Sequence, residues 1–532
     1  MNIETKKERV YEAADYQDGA SYDTQVCIIG SGCGGATLAK RLTDFGVNVI
    51  VLEQGSYVPA SKMDQRELNM MGKLYGERGM GTASDESTQV LHGNNVGGAS
   101  VHYWADSYRT PQDKLDSWQR DYGLKGHDVS DLNPAFDEIE KSLNIHQAPD
   151  HLFNTLNKKV RSASQSLSWH GHRVPQARKH CASSGHCMQG CLYDAKQSQM
   201  VTHIPTAIEQ GARVFANARA GKLVSQGGTV KQVRVDIMDP VSNRAAGRTM
   251  TINAQVVVVA AGGFNSSYYL LQQGMKRQLP ALGKYFSMNP STMVHSMFEE
   301  DIIQWRNIPA AWGIDEYRQR RYQQGQYSEG GYLLMPSQLQ PALLAGTLPG
   351  MGQQHQEWMQ DAPKIGGTIA WMDDIEDELG EIRLKSNGAR EVYYPYGEKT
   401  QKVLKDSVIK QVTLNFEMGA KKVLVAGAQA IELTSINQMK KLDDLQLTSA
   451  GLFLAAPHPG GGCRMGSDAK NSVVGFDHRV HGWNNLFVAD SSVFPSSSSL
   501  DPSLTIMAFS YIAADRIMES LNGVHKKSAG DR

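Results

Sequence analysis

Thr24-Gln-Val-Cys-Ile-Ile-Gly30-Ser-Gly32-Cys-Gly-Gly35, then a helical run to Phe45, then Asn48-Val-Ile-Val-Leu-Glu53, is the stretch that decides the fold. The apolar run Val26 to Ile29 predicts a buried parallel strand. Gly30, Gly32 and Gly35 form GxGxxG and serve a tight turn, room for a pyrophosphate against bare backbone, and close packing of the next helix. That helix, from about Cys33 to Phe45, points its N–H groups and positive dipole end at the pyrophosphate. Gly46 stops it. A second strand follows and ends on Glu53, an acid placed to accept hydrogen bonds from an adenosine ribose. An acid there disfavours a 2′-phosphate and therefore NADP. FAD and NAD both stay open from this stretch alone.

Outward from that unit, composition sets the class. The chain has 532 residues, more than one core normally holds. Apolar content is 40% and charged content 20%, the balance of a globular enzyme. A net charge of −1 leaves no electrostatic footprint for nucleic acid or an anionic membrane. No apolar stretch approaches the roughly 20 residues that span a bilayer. Met1 to Tyr22 reads as a loose polar arm without a signal core or twin arginine. On this reading the protein is cytoplasmic, or periplasmic through export with a signal-bearing partner.

Along the chain, Leu91-His-Gly-Asn-Asn-Val-Gly97-Gly98-Ala-Ser100-Val-His102-Tyr-Trp104 suits a loop laid against phosphate or a flavin ring, or else a tight surface turn. Residues 127–170 read as solvated helix. Arg213 to Val224 and Thr229 to Asp239 alternate like hairpin strands. Val256-Val-Val-Val-Ala-Ala-Gly262-Gly263 predicts a second buried parallel strand that returns to the first sheet, with a helix after it. From about 280 to 450 buried-strand runs are few, and Gln, Tyr, Trp, Met and Pro are frequent. This is the expected substrate-facing region, with helical periodicity over Thr413 to Gln429. The last stretch holds Pro457-His458-Pro-Gly-Gly-Gly-Cys463-Arg464-Met465-Gly466, then Leu486-Phe-Val-Ala-Asp490. Asp501-Pro502 opens a final helix to about Leu521.

Those pieces, in that order, resemble the glucose–methanol–choline (GMC) FAD oxidoreductases over nearly the whole chain. The resemblance implies FAD rather than NAD. It implies an α/β fold: a doubly wound, Rossmann-like FAD domain from residues 23–125, 200–280 and 455–525. An α+β substrate domain around an antiparallel sheet would take 126–199 and 281–454, leaving 1–22 as the arm. Gly30, Gly32, Gly35 and Glu53 would hold the ADP part. Gly97, Gly98, Ser100 and His102 would lie along the pyrophosphate and flavin, and Asp490 near the ribityl chain. Removing hydride from a carbinol carbon requires a base of near-neutral pKa. His458 matches the family's catalytic histidine. Asp501 stands where the family usually has histidine or asparagine, so it is either a second catalytic group or only a helix cap.

Cys181-x5-Cys187-x3-Cys191, in a loop at 180–191, is a further departure from the plain family. Three thiols this close suit a soft metal or an iron–sulfur cluster. Three cysteines fit a three-iron cluster; a four-iron cluster would need His180 or His186. Zinc with a histidine, or inert thiols, are the rival readings. The spacing resembles the catalytic subunits of FAD-dependent glucose and fructose dehydrogenases, which implies a [3Fe-4S] cluster, an accessory subunit and a cytochrome acceptor. Cys33 and Cys463 read as packing residues. The expectation is therefore a dehydrogenase that oxidises a hydroxyl of a sugar, sugar acid or glycoside and passes electrons through the cluster to a partner. The alternatives are a cluster-free oxidase of a lipophilic or aromatic alcohol that makes hydrogen peroxide, and a flavin-bearing lyase.

Overall fold

The computed structural model describes residues 10–427, 430–447 and 451–530, with side chains to 522. Two sheets organise it. In the first, the strand Ala20–Ile29 runs parallel to Val49–Leu52 on one side and to Ala245–Val259 on the other. Arg213–Phe215 extends the parallel set beyond Val49–Leu52, and Leu486–Val488 joins Ala245–Val259. The register sets Val26 to Ile29 beside Val256 to Val259. Both runs are apolar throughout because both faces are buried, each in a core of its own. The helices Cys33–Asp44 and Ser503–Gly530 lie together on one of them. The antiparallel hairpin Ala218–Gln226 and Thr229–Met238 closes the other edge of this sheet.

The second sheet is antiparallel, in the order Ile431–Leu433, Lys422–Val425, Ser291–Met297, Ile365–Met372, Tyr332–Pro336, Trp312–Ile314 and Gly171–Arg173. Its side chains alternate between two cores, as a two-residue period requires. Val294, Leu334, Ala370 and Met372 pack with Leu404, Val408 and Val412 of the helix Glu398–Glu417. Met293, Leu333, Ile369 and Trp371 point to the opposite face. That second face looks into the space between the two sheets. The short strand Leu454–Ala456 pairs with Ser291–Met297, and the chain then crosses to the first sheet. Gly460 exchanges backbone hydrogen bonds with Ser287, and Gly461 N donates to Ser491 O.

Three sequence expectations change. The arm is not loose over its described part: Tyr11 bridges to Phe215, and Tyr16 Oη donates to Tyr11 O and Ala216 O, which pins residues 10–16 to the sheet edge. Residues 1–9 lie outside the described residues. The helix expected over 413–429 begins at Glu398 and ends at Glu417; Lys422–Val425 is a strand, and 428–429 lie outside the described residues. The region 280–450 is not poor in buried strands. Ser291–Met297 and Ile365–Met372 are almost wholly buried, although they carry Ser, Thr, His and Gly. Among the described residues no helix is long and apolar enough to cross a membrane.

Candidate active site

A cavity of about 950 Å³ runs from the glycine turn of the first sheet to the apolar face of the second. At the glycine end the backbone is bare for a physical reason. Gly30 has φ +107°, and a Cβ there would meet Ala260 O at 2.3 Å. A Cβ on Gly98 would meet Gly32 Cα at 2.7 Å, so two stretches of backbone pass at glycine contact. Gly32 itself has no close neighbour on the side where a Cβ would project, and it lines the cavity. Glu53 is buried at the end of its strand. Its Oε2 accepts from Ser31 N and Oγ, at 3.2 and 2.7 Å, and its Oε1 from Gly55 N at 2.9 Å. Burial pushes its pKa up, and those donors oppose the rise.

This end fits a flavin dinucleotide. His92 Nε2, Asn94 Oδ1 and His102 Nε2 are buried polar atoms without a partner on residues that line the cavity. His102 stacks on Tyr75 at 3.7 Å, and burial holds its ring well below the ordinary histidine pKa. Asp490 also lines the cavity, but its oxygens are engaged: Oδ2 accepts from Gly262 N and Ser266 Oγ, and Oδ1 from Ser492 N. Ser100 is similarly tied, donating to Gly97 O and accepting from Gln199 N. Gly97 lies behind the wall rather than on it. A Cβ there would strike Val101 and Met200, and its N–H donates to Ser31 Oγ. Gly35 packs on the carbonyl of Gly30. Ser31, an unnamed position in GxGxxG, joins the acid to the Gly97 loop; its only sequence signal is its place between two glycines.

At the other end stand His458 and Asp501. The loop carrying His458 can approach the first sheet because residue 263 is glycine: a Cβ there would lie 2.1 Å from Pro459 O. Asp501 precedes the proline that opens the final helix. Its Oδ1 lies 3.0 Å from His458 Nε2, and its Oδ2 is buried without a partner. The carboxylate is thus turned to the histidine and makes no hydrogen bond to the helix end. Asn289 sets the ring. Its Nδ2 donates to Met372 O, so its Oδ1 faces His458 Nδ1 at 2.7 Å and Nδ1 must be the donor. Asn289 is held in turn by Asp374, which accepts from the amides of Met288 and Asn289 and from Tyr394 Oη. Burial raises the Asp374 pKa to about 6. Nothing local in the sequence marks Asn289 or Asp374; they meet His458 only through the fold.

Around this pair the wall is apolar. Trp104, Met293, Leu339, Leu343, Ile369, Trp371 and Phe453 line it, and the Trp371 ring lies 5.2 Å from that of His458.

The three thiols expected to hold a cluster do not form a ligand set here. Among the described residues no group of three or more His, Cys, Asp or Glu is placed to hold a metal ion. Cys187 Sγ accepts from Arg178 Nη1 at 3.4 Å, and Cys191 Sγ from Lys196 N at 3.4 Å. Cys181 packs beside the Phe153–Ile308 cluster. Arg178 and Lys196 are both buried, and neither has a carboxylate at ion-pair distance among the described residues. Burial disfavours the Cys187 thiolate, but these two cations outweigh it and bring its pKa below the ordinary thiol value.

The comparisons agree with this architecture. Two family models described as GMC oxidoreductase match, the N-terminal one over residues 71–291 and the C-terminal one over 380–510. An uncharacterized GMC-type oxidoreductase of Mycobacterium tuberculosis is 27% identical over 93% of this chain and 76% of its own length. A long-chain-alcohol oxidase of Arabidopsis thaliana is 25% identical over 94% of this chain and 68% of its own. Among solved structures, pyridoxine 4-oxidase from Mesorbium loti superposes with a TM-score of 0.70 at 14% identity. The match covers 93% of this chain and 99% of that one. A formate oxidase of Aspergillus oryzae gives 0.72 at 14% identity over 95% and 99%.

Proposed function

The chain belongs to the GMC oxidoreductases, FAD enzymes that act on CH–OH groups, and from that premise we propose that its substrate is an alcohol carried on a largely apolar body. The observation that carries this reading is the pairing of His458 Nε2 with Asp501 Oδ1, at 3.0 Å, on the wall of an apolar chamber. Bound FAD supplies the hydride acceptor. The protein's own part is to seat the carbinol and take its proton. His458 Nδ1 is committed as a donor to Asn289, so only Nε2 can act as the base. When no proton lies between Nε2 and Asp501, the Nε2 lone pair can accept the hydroxyl proton. The imidazolium so formed is held by the Asp501 carboxylate. The pair is therefore competent in its deprotonated state.

A sugar is the poorer fit. Each hydroxyl buried without a partner costs about 1–3 kcal/mol, and this wall offers few donors and acceptors beyond His458, Asp501 and Thr347. The test is anaerobic bleaching of the purified flavoprotein by long-chain and benzylic alcohols and by sugars. Fast bleaching by apolar alcohols is expected. Bleaching by sugars alone would return the reading to carbohydrate, and product formation without bleaching would identify a lyase.

Electron transfer through an iron–sulfur cluster to a cytochrome is a second reading. The two buried cations beside Cys187 favour it, since they suit an anionic group; against it, no group of three ligands is placed to hold a metal ion among the described residues. Iron and acid-labile sulfide analysis of the same preparation, with oxygen uptake, separates it from an oxidase.

A further inference from the structure

The turn from Ser287 to Pro290 touches His458 at two levels, backbone and ring. Ser287 and Gly460 exchange backbone hydrogen bonds at 2.9 and 3.0 Å, which ties the turn to the segment that carries His458. Two residues on, Asn289 Oδ1 lies 2.7 Å from His458 Nδ1. Asn289 is left-handed, with φ +50°, and it precedes Pro290, a place that favours extended backbone. Such a conformation persists where its surroundings over-determine it. Here one carboxylate does so. Asp374 Oδ1 accepts from Met288 N at 3.0 Å, and its Oδ2 from Asn289 N at 2.8 Å. Tyr394 Oη donates to Oδ1 at 2.6 Å and fixes the carboxylate in turn. Asn289, Asp374 and Tyr394 are all buried. Both oxygens of Asp374 are taken by these three donors, so its influence on His458 passes through Asn289.

A neutral imidazole has one proton to place. On Nε2 that proton bonds Asp501 Oδ1, 3.0 Å away, and leaves no lone pair there for an alcohol. On Nδ1 it bonds Asn289 Oδ1 and leaves Nε2 open. A carboxylate is a stronger acceptor than an amide oxygen. The productive form therefore depends on the Asn289 oxygen being held at bonding distance. The amide cannot turn that oxygen away while its Nδ2 bonds Met372 O, and the turn cannot relax while Asp374 holds two of its N–H groups.

We propose that Asp374, fixed by Tyr394, is a positioning residue for the reaction: by holding the Met288–Asn289 turn it keeps Asn289 Oδ1 on His458 Nδ1, and so keeps the proton of the neutral ring off Nε2. This deepens the reading of His458 as the base and rests on it. The proton of the alcohol passes from its oxygen to Nε2, and none is gained or lost at Asn289 or Asp374.

The test is a double-mutant cycle on anaerobic flavin reduction, in holoenzymes of equal FAD content. It is run at about pH 8, above the value of about 6 to which burial raises Asp374, so that the carboxylate is charged. Asp374→Asn keeps the shape but offers one acceptor oxygen to two amides. It should lower the limiting rate by about 10–10²-fold, the scale of a small misplacement, and leave the alcohol concentration at half that rate unchanged. In an Asn289→Ala background the same change should cost about twofold or less, because the route is already cut. Nitrogen-15 spectra of histidine-labelled holoenzyme, assigned with His458→Ala, should show neutral His458 protonated on Nδ1. A share should move to Nε2 in Asp374→Asn. If Asp374→Asn does not fold, Tyr394→Phe, which frees one oxygen of the carboxylate, should show the same changes in smaller measure. Losses that multiply in the double variant would mean that Asp374 acts by another route, and would overturn the proposal. So would a neutral wild-type ring protonated on Nε2, or a rate and ring signal unmoved in Asp374→Asn and Tyr394→Phe. Failure of the base reading looks different: His458→Ala would reduce at the wild-type rate, whatever the ring spectra show.

Discussion

His295 shows what a histidine costs in this protein when it is not used. It lies in the central strand Ser291–Met297, fully buried, with a partner on neither ring nitrogen. Burial alone pushes its pKa down to about 4. His458, after the neighbouring strand, is instead held at both nitrogens, by Asn289 and Asp501. The chain has sixteen histidines, and their identity does not distinguish the two kinds. The run Pro457-His-Pro-Gly-Gly-Gly does mark His458, and Asp501-Pro502 marks its neighbour. Asn289 carries no such mark, because it acts on a side chain from a distant segment.

The His295 ring gives a pH prediction. An unfolded histidine titrates near 6.5, so between 6.5 and about 4 the unfolded chain binds a proton that the folded chain refuses. The stability that depends on the neutral ring is complete above 6.5 and falls away as pH drops to 4. His295→Leu removes that titration. The stability difference between variant and wild type, from denaturant unfolding, should move toward the variant by about 1.4 kcal/mol per pH unit across this window. A constant difference from pH 7 to 4.5 would show that the buried ring is not held neutral.

At the scale of elements, the helix Glu398–Glu417 explains why the second sheet was hard to read. One of its faces carries Ser407, Gln411 and Asn415, four residues apart, and all are buried. They meet polar residues of the sheet. Ser407 Oγ lies 2.8 Å from Thr292 Oγ1, Gln411 Nε2 donates to Thr292 Oγ1 at 2.7 Å, and Asn415 Nδ2 donates to Thr368 Oγ1 at 2.8 Å. A helix and two strands that bury polar residues against each other show neither a clean 3.6 period nor clean alternation. Gln411→Ala would leave Thr292 and Thr368 short of a partner and should cost about 1–3 kcal/mol of stability. It should leave flavin reduction unchanged, since this face of the sheet is turned away from the cavity. Wild-type stability in the variant would mean that the ladder adds nothing; slowed reduction would mean that the helix shapes the site.

At the scale of the whole molecule, legibility follows locality. The dinucleotide unit was readable because two strands, one turn and one helix carry all its signals within the thirty residues from Thr24 to Glu53. The active site is assembled where two sheets face each other across one cavity, from the segments at 287–290, 457–463 and 490–502 and from strands far apart in sequence. The resemblance located the histidine and the acid within that set, but the apolar character of the wall emerged only when Met293, Ile369 and Trp371 were seen to share a face. The thiol spacing was legible too, yet the cations that stand among those thiols come from Arg178 and Lys196, just outside and just beyond the loop.

The central claim is that this chain oxidises an alcohol with the His458–Asp501 pair as its base. The measurement that tests it most directly is anaerobic stopped-flow reduction of the bound FAD by a bleaching alcohol, in wild type and in His458→Ala of equal FAD content. Loss of a positioned base should slow reduction by roughly 10²–10⁴-fold. Reduction of His458→Ala at the wild-type rate would contradict the account and place the base elsewhere on the cavity wall.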